Sequence, residues 1–188
     1  MLAARESYSR FTPEEYFAWE EQQLEKHEYL NGEVYAMTGG SLNHAQIGGN
    51  FIRLLGNHLD GRDCRVLTSD ARVNIVKSND YVYPDVSVTC DQRDRETPQY
   101  ITYPCLIVEV LSPSTEAYDR GDKFQMYRKS HVLRDYVLVS ADKIKVELFH
   151  RDDSGKWDII DYVAGDLVQL ESVNLTFSIE QVYRNIKF

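Results

Sequence analysis

The sequence lacks what a membrane-spanning chain needs. No apolar stretch approaches the roughly 20 residues that cross a bilayer. The longest apolar run, Leu106 to Leu111, is interrupted by Glu109. The opening MLAARESYSRF has no apolar core of the secretory kind, so the expectation is a cytoplasmic protein with no membrane partner. Cysteine is scarce. Cys64, Cys90 and Cys105 are odd in number and show no C-x-x-C spacing. That argues against a zinc ribbon and predicts reduced core thiols rather than a disulfide frame. Positive charge is in deficit: 21 Lys and Arg stand against 30 Asp and Glu, a net charge of −9. A protein held on DNA by bulk electrostatics is usually basic, so that mode of binding loses weight. Repeats, low-complexity tracts and Pro/Gly-rich linkers are missing too. A chain of 188 residues without a linker is expected to form one domain, 1–188. At 43% hydrophobic and 27% charged residues, it has the composition of a folded globule.

Turn and cap signals divide the chain. Thr12-Pro13-Glu14-Glu15 opens a helix, with Thr12 as cap, Pro13 at the first helical position and Glu15 closing a capping box; the helix is expected to end near Lys26. Asn31-Gly32, between Tyr29-Leu30 and Glu33-Val34-Tyr35, predicts a type I′ hairpin. Ile47, Phe51, Leu54, Leu55 and Leu59 fall at helical spacing over about Asn43 to Leu59. Gly48 and Gly49 inside that helix suggest close packing on a sheet. Strands are expected at Cys64–Thr68, Ala71–Val76, Val82–Thr89, Cys105–Leu111 and Asp135–Ser140. A third helix is expected over about Asp119 to His131, with Asp119 as its cap. Ile144–His150 and Trp157–Val163 read as a hairpin across Asp152-Asp153-Ser154-Gly155, and Ile179–Asn185 as a short closing helix. The order helix, strands, helix, strand gives an α/β domain with a mixed sheet, an N-terminal helix and hairpin, and a C-terminal β-hairpin.

Charge is uneven along the chain. Residues 12–33 carry seven acids against Lys26, whereas residues 120–134 carry Arg120, Lys123, Arg128, Lys129 and Arg134 against Asp122. The second stretch is either a docking face for a phosphate-bearing partner or an ordinary solvated helix face.

The most informative residue is Glu109. It lies in Leu106-Ile107-Val108-Glu109-Val110-Leu111, a strand that reads as buried on both faces. A carboxylate there must be paired, protonated or metal-bound. An arginine partner such as Arg72 is the structural solution; a metal ligand or catalytic acid is the functional one. Asp85 follows Pro84 at the mouth of Val86-Ser87-Val88, where proline belongs, so the two acids can converge where adjacent strands meet. Two carboxylates plus water is a common way to hold Mg²⁺. Leu111-Ser112-Pro113-Ser114-Thr115 then leads into the third helix. Lys123, in the expected first turn of that helix, can bring an ammonium to the same place.

Tyr83-Pro84-Asp85-Val86-Ser87-Val88, the stretch from Pro104 to Thr115 and Asp119-Arg120-Gly121-Asp122-Lys123 together resemble the Uma-two family of putative restriction endonucleases, within the PD-(D/E)XK nuclease superfamily. Tyr29–Met37, His44–Leu59 and Ser69–Val73 also resemble family segments, and the likeness covers roughly residues 10–185. It implies a restriction-endonuclease-like αβββαβ core over about residues 28–142. It also implies hydrolysis of DNA phosphodiesters with Mg²⁺ or Mn²⁺. Asp85 and Glu109 would bind the metal, with the Val110 carbonyl as a further ligand, and Lys123 would assist the attacking water. The usual superfamily lysine stands two residues after the glutamate, where this chain has Leu111; Lys123 resembles its replacement.

Other residues compete for roles. His44 begins the second helix and can face the site, although a helix-end histidine is the plainer reading. Glu28 and Glu33 flank the Asn31-Gly32 turn; either can assist the metal or be a solvated hairpin acid. Asp70 and Arg72 can pair with each other or with Glu109, and Tyr127 reads as core. The deficit of positive charge and Leu111 keep open a non-catalytic nucleic-acid or partner-binding module with the same fold. A glycosidase, a third two-carboxylate option, gives Lys123 no role. A homodimer, common for such folds, would let two sites cut two strands.

Overall fold

The computed structural model describes residues 10–37, 39–76 and 78–188. Helix α1 (Pro13–Glu20) starts as expected: Thr12 Oγ1 accepts from the Glu15 N–H and Glu15 accepts from the Thr12 N–H. It ends at Glu20, short of Lys26. Strands β1 (His27–Leu30) and β2 (Glu33–Ala36) form a hairpin. Asn31 and Gly32 have φ of 51° and 87°, the positive values a type I′ turn demands. Helix α2 (Leu42–Leu59) buries Ile47, Phe51, Leu55 and Leu59.

Next come β3 (Arg65–Thr68), β4 (Arg72–Ile75), β5 (Asp80–Val82) and β6 (Val86–Thr89). The stretch Val82–Thr89 is therefore two strands. Tyr83-Pro84-Asp85 carries the chain from one sheet to another, because Pro84 has no N–H to give a ladder. A two-residue β7 (Tyr100–Ile101) precedes β8 (Leu106–Leu111). The helical stretch after it begins at Glu116, three residues before Asp119. It runs as α3 (Glu116–Tyr118), a π turn (Asp119–Lys123) and α4 (Phe124–Tyr127). Asp119 is thus a buried residue inside the helix rather than its cap, and Lys123 follows the first turn instead of lying in it. Strands β9 (Asp135–Ser140), β10 (Lys145–Arg151) and β11 (Trp157–Val163) come next, then the hairpin β12 (Leu167–Leu170) and β13 (Leu175–Ser178). Residues 179–181 form one 3₁₀ turn in place of the closing helix.

This is a mixed α/β fold with few helices. The larger sheet has the order β11-β10-β9-β8-β6-β3, and only β8–β9 is parallel within it. Taken along the chain, α2, β3, β6, β8, the α3–α4 stretch and β9 make the αβββαβ core. The smaller sheet, β2-β1-β5-β4-β7, is built from the hairpin, from β4 and β5 between β3 and β6, and from β7 between β6 and β8. Helix α2 and β12–β13 share the main core cluster with the large sheet, where Phe51, Val108, Val137 and Phe177 are buried. The opposite cluster gathers Ile107, Phe124, Tyr127, Tyr136 and Leu138.

Two expectations are corrected. Cys64 and Cys90 form a disulfide. The Arg65–Thr89 pair of β3 and β6 sets those two cysteines opposite each other at the next step. Cys105 alone is a free thiol, and burial pushes its pKa up to about 11. Gly48 and Gly49 do not serve close packing, since a Cβ added at either would meet nothing within 4 Å. They border an open groove of about 690 Å³ along α2 that also touches Met37, His44 and Asp85. Among the described residues, no helix is long and apolar enough to cross a membrane.

Candidate active site

The strand ladder builds the site. The antiparallel β6–β8 pair sets Val86 opposite Val108, and one step further it brings Asp85 opposite Glu109. The two residues exchange contacts: the Val110 N–H donates to Asp85 Oδ2 at 2.7 Å, and the Asp85 N–H lies 3.4 Å from Glu109 Oε2. Glu109 is 3% exposed. Its Oε1 is buried and takes no hydrogen bond, but lies 3.0 Å from Lys123 Nζ. The partner of Glu109 is thus Lys123. Arg72 instead pairs with the Tyr83 hydroxyl and lies 4.0 Å from Glu20.

Lys123, 5% exposed, reaches its place through the π turn, which widens the helix by one residue. Its ammonium also touches Glu28 Oε1 at 3.1 Å and Asp119 Oδ1 at 3.9 Å. Glu28 arrives from β1 of the other sheet and is fixed by the Tyr83 N–H at 3.2 Å and the Tyr118 hydroxyl at 3.4 Å. Burial opposes a charge on Lys123, but Glu109 and Glu28 outweigh it and hold its pKa above the ordinary lysine value. Burial pushes the Glu109 carboxyl well above the usual carboxylate range, with Lys123 opposing. Asp119 is raised by burial in the same way. From the N-terminal turn of α2, His44 Nε2 approaches Asp85 Oδ2 at 3.3 Å. The hydrogen bond to Asp85 raises the pKa of His44 against burial, aided by the Val110 carbonyl.

These groups surround a cavity of about 110 Å³ into which Glu28, His44, Asp85, Glu109, Asp119 and Lys123 all face. The remaining two candidates lie elsewhere. Asp70 pairs with Lys26 on the surface, and Glu33 accepts from the Tyr35 hydroxyl at 2.7 Å. Tyr127 is core, as expected. The basic stretch is no continuous docking face: Lys123 points inward, Arg120 pairs with Glu116 and Glu147, and Arg134 with Asp153. Sequence reasoning missed Asp119 and Tyr118. The available signal was the i, i+4 spacing of Asp119 and Lys123.

Among the described residues, no three His, Cys, Asp or Glu side chains gather into a metal cage. Of the four carboxylates at the cavity, Glu28 and Asp119 attend the buried Lys123 ammonium, which leaves Asp85 and Glu109, with the Val110 main chain between them, as the oxygen donors on the β6–β8 ladder. Such a set suits an ion that keeps much of its water.

Comparison with known proteins agrees with this architecture. Residues 13–180 match the Uma2 family, described as "Putative restriction endonuclease". An uncharacterized Synechocystis protein, slr1290, is 51% identical over 96% of this chain and 95% of its own length. A second one, sll1609, is 33% identical over 85% of this chain and 91% of its own. A crystal structure from Anabaena variabilis, described as a putative nuclease belonging to DUF820, superimposes with a TM-score of 0.73 at 17% identity. That match covers 92% of this chain and 97% of the other.

Proposed function

The chain belongs to the Uma2 family, and from that premise we propose that it is a metal-dependent endonuclease that hydrolyses DNA phosphodiesters in the cavity around Glu109. One observation carries the reading: a buried lysine and a buried glutamate 3.0 Å apart, facing a cavity that also receives Asp85 from the adjoining strand. The family description and the fold of the Anabaena protein support it.

The donors fit a hard divalent cation. Asp85, Glu109 and the Val110 carbonyl supply oxygen only, the ligand Mg²⁺ and Mn²⁺ prefer. Glu109 Oε1 is a buried oxygen on the cavity wall, held against the Lys123 ammonium. Bound there, the ion would supply Lewis acidity and a more acidic water. The protein's own groups do the rest. Lys123 holds a fixed positive charge where negative charge builds on the phosphate, and it needs no reorganisation because Glu109 and Glu28 already hold it. Glu28, anchored by Tyr83 and Tyr118, sets the height of that ammonium. His44 stands against Asp85 and fixes its carboxylate.

The test is incubation of the purified protein with single- and double-stranded DNA and with supercoiled plasmid, in Mg²⁺, Mn²⁺ or EDTA. Cleavage is expected with either metal. It should vanish in EDTA and in Glu109→Gln, and fall sharply in Lys123→Ala. A wild type inert on all three substrates would overturn the reading in favour of a non-catalytic binding module, which Leu111 in place of the usual lysine motivates.

A further inference from the structure

The large sheet ends in two free edges of very different make. At one end, β3 has four residues, carries Arg65 and is closed by the Cys64–Cys90 bridge. At the other, β11 has seven residues, Trp157–Val163, with no Pro, Gly, Lys or Arg to discourage pairing. Its apolar side chains are out in solvent: Ile159 is 64% exposed, Ile160 40% and Val163 53%.

The hydrogen-bond parity of β11 follows from its neighbours. The Arg151 N–H of β10 donates to Arg134 O at 2.7 Å, and Lys145 bonds the Tyr183 hydroxyl through both main-chain groups. The odd residues of β10 therefore turn their main-chain groups away from β11. The ladder pairs Glu147 with Asp161 and Phe149 with Ile159, so the odd residues of β11 turn theirs outward. Asp166 already satisfies those of Val163, accepting from its N–H at 2.7 Å and donating to its carbonyl at 3.1 Å. Among the described residues, Trp157, Ile159 and Asp161 are left presenting N–H and C=O outward.

We propose that β11 is a self-association edge, pairing antiparallel with β11 of a second copy about a two-fold axis through Ile160. Axes through Ile159, Ile160 or Asp161 all match outward groups to outward groups. The axis through Ile160 sets apolar side chains together, whereas an axis through Ile159 sets Ile160 against Asp158 and Trp157 against Asp161, and one through Asp161 sets that acid against itself. Ile159 faces Asp161 of the second copy and the reverse, giving four main-chain hydrogen bonds. Ile160 packs on its own symmetry mate, and Trp157 meets Val163. A shift that moves the axis between Ile159 and Ile160 opposes Asp158 to Asp161 twice and sets outward groups against inward ones. The acids bring their own counter-ions, Lys145 at 3.6 Å from Asp161 and Lys156 at 2.6 Å from Asp158, so pairing buries no uncompensated charge. The pattern is self-complementary, as an isologous contact must be. A short edge pair falls below the roughly 1,000 Å² of stable interfaces, so the dimer is expected to be weak, with Kd on the order of 10–100 µM.

Sedimentation of the full chain from about 5 to about 300 µM tests this range. Wild type should move from monomer to dimer. Asp161→Pro removes an outward N–H that β10 does not use, and should weaken the dimer at least about tenfold at unchanged far-UV circular dichroism. Should that variant fail to fold, Ile160→Cys decides: under mild oxidation it should cross-link, because non-hydrogen-bonded mates have close Cβ atoms. Asp158→Cys should not. A wild type monomeric throughout, an undiminished dimer in folded Asp161→Pro, or equal cross-linking of the two cysteine variants would overturn the proposal.

Discussion

Strands β8 and β9 lie side by side, and each carries a buried carboxylate, at opposite ends of the pair. Asp135 opens β9 and is fully satisfied. His150 Nδ1 lies 2.7 Å from its Oδ1, and Ser172 donates to Oδ2 through its N–H at 3.0 Å and its hydroxyl at 2.6 Å. Glu109, near the end of β8, has a cation beside Oε1, one long 3.4 Å contact to Oε2, and a cavity in front of it. The residue type and burial are alike. What separates a clamp from a site is whether protein donors use up the acceptor. Asp94 is a second clamp, taken by the Thr89 hydroxyl and by the Thr102 and Tyr103 N–H groups.

The strongest way to break the comparison is Asp135→Ala. It should cost about 3–5 kcal/mol in urea denaturation, as for other broken buried ionic networks, yet leave cleavage per folded molecule unchanged. Lys123→Ala should do the reverse in kind, lowering cleavage by about 10²–10³, or roughly 2.7–4 kcal/mol in the barrier. Its fold does not escape untouched. The structure buries Lys123 between Glu109 and Glu28, so metal-free Lys123→Ala should melt lower than wild type.

The pH response sharpens the contrast. Burial raises the pKa of Glu109, so the folded state holds a proton that the unfolded chain releases near the ordinary glutamate value. The stability this group contributes is complete below that value, about pH 4.3, and drains away as pH rises through its folded pKa. Metal-free wild type should lose up to about 1.4 kcal/mol per pH unit within that window. Glu109→Gln should flatten the slope in urea titrations at several pH values. The smallest effect concerns the groove: Gly49→Ala should stabilise α2 by up to about 1 kcal/mol, because helix propensity improves and no neighbour is met.

Much of this was legible in the sequence. Thr12-Pro13-Glu14-Glu15 and Asn31-Gly32 carry their conformations in local chemistry, and a glutamate within Leu106–Leu111 announces its burial cost. The sheet exchange at Pro84 was harder, because an apolar run reads alike in one strand or two. The π turn has no local signature, so the depth of Lys123 and the burial of Asp119 were hidden. The β12–β13 hairpin went unread, its strands being short and half exposed. Cys64–Cys90 depended on the β3–β6 register, which spacing does not give. Glu28 could not be separated from Glu33 by sequence, since only the fold turns one of two hairpin acids inward.

The central claim is that Glu109 and Asp85, unlike Asp135, are acids held open for a cation. Thermal melts with EDTA and with millimolar Mn²⁺, on wild type, Glu109→Gln, Asp85→Asn and Asp135→Asn, test it most directly, since a ligand that binds only the folded state raises the melting temperature. Wild type and Asp135→Asn should rise with Mn²⁺, while Glu109→Gln and Asp85→Asn should not. An unmoved wild type, or an equal rise in all four proteins, would contradict the account.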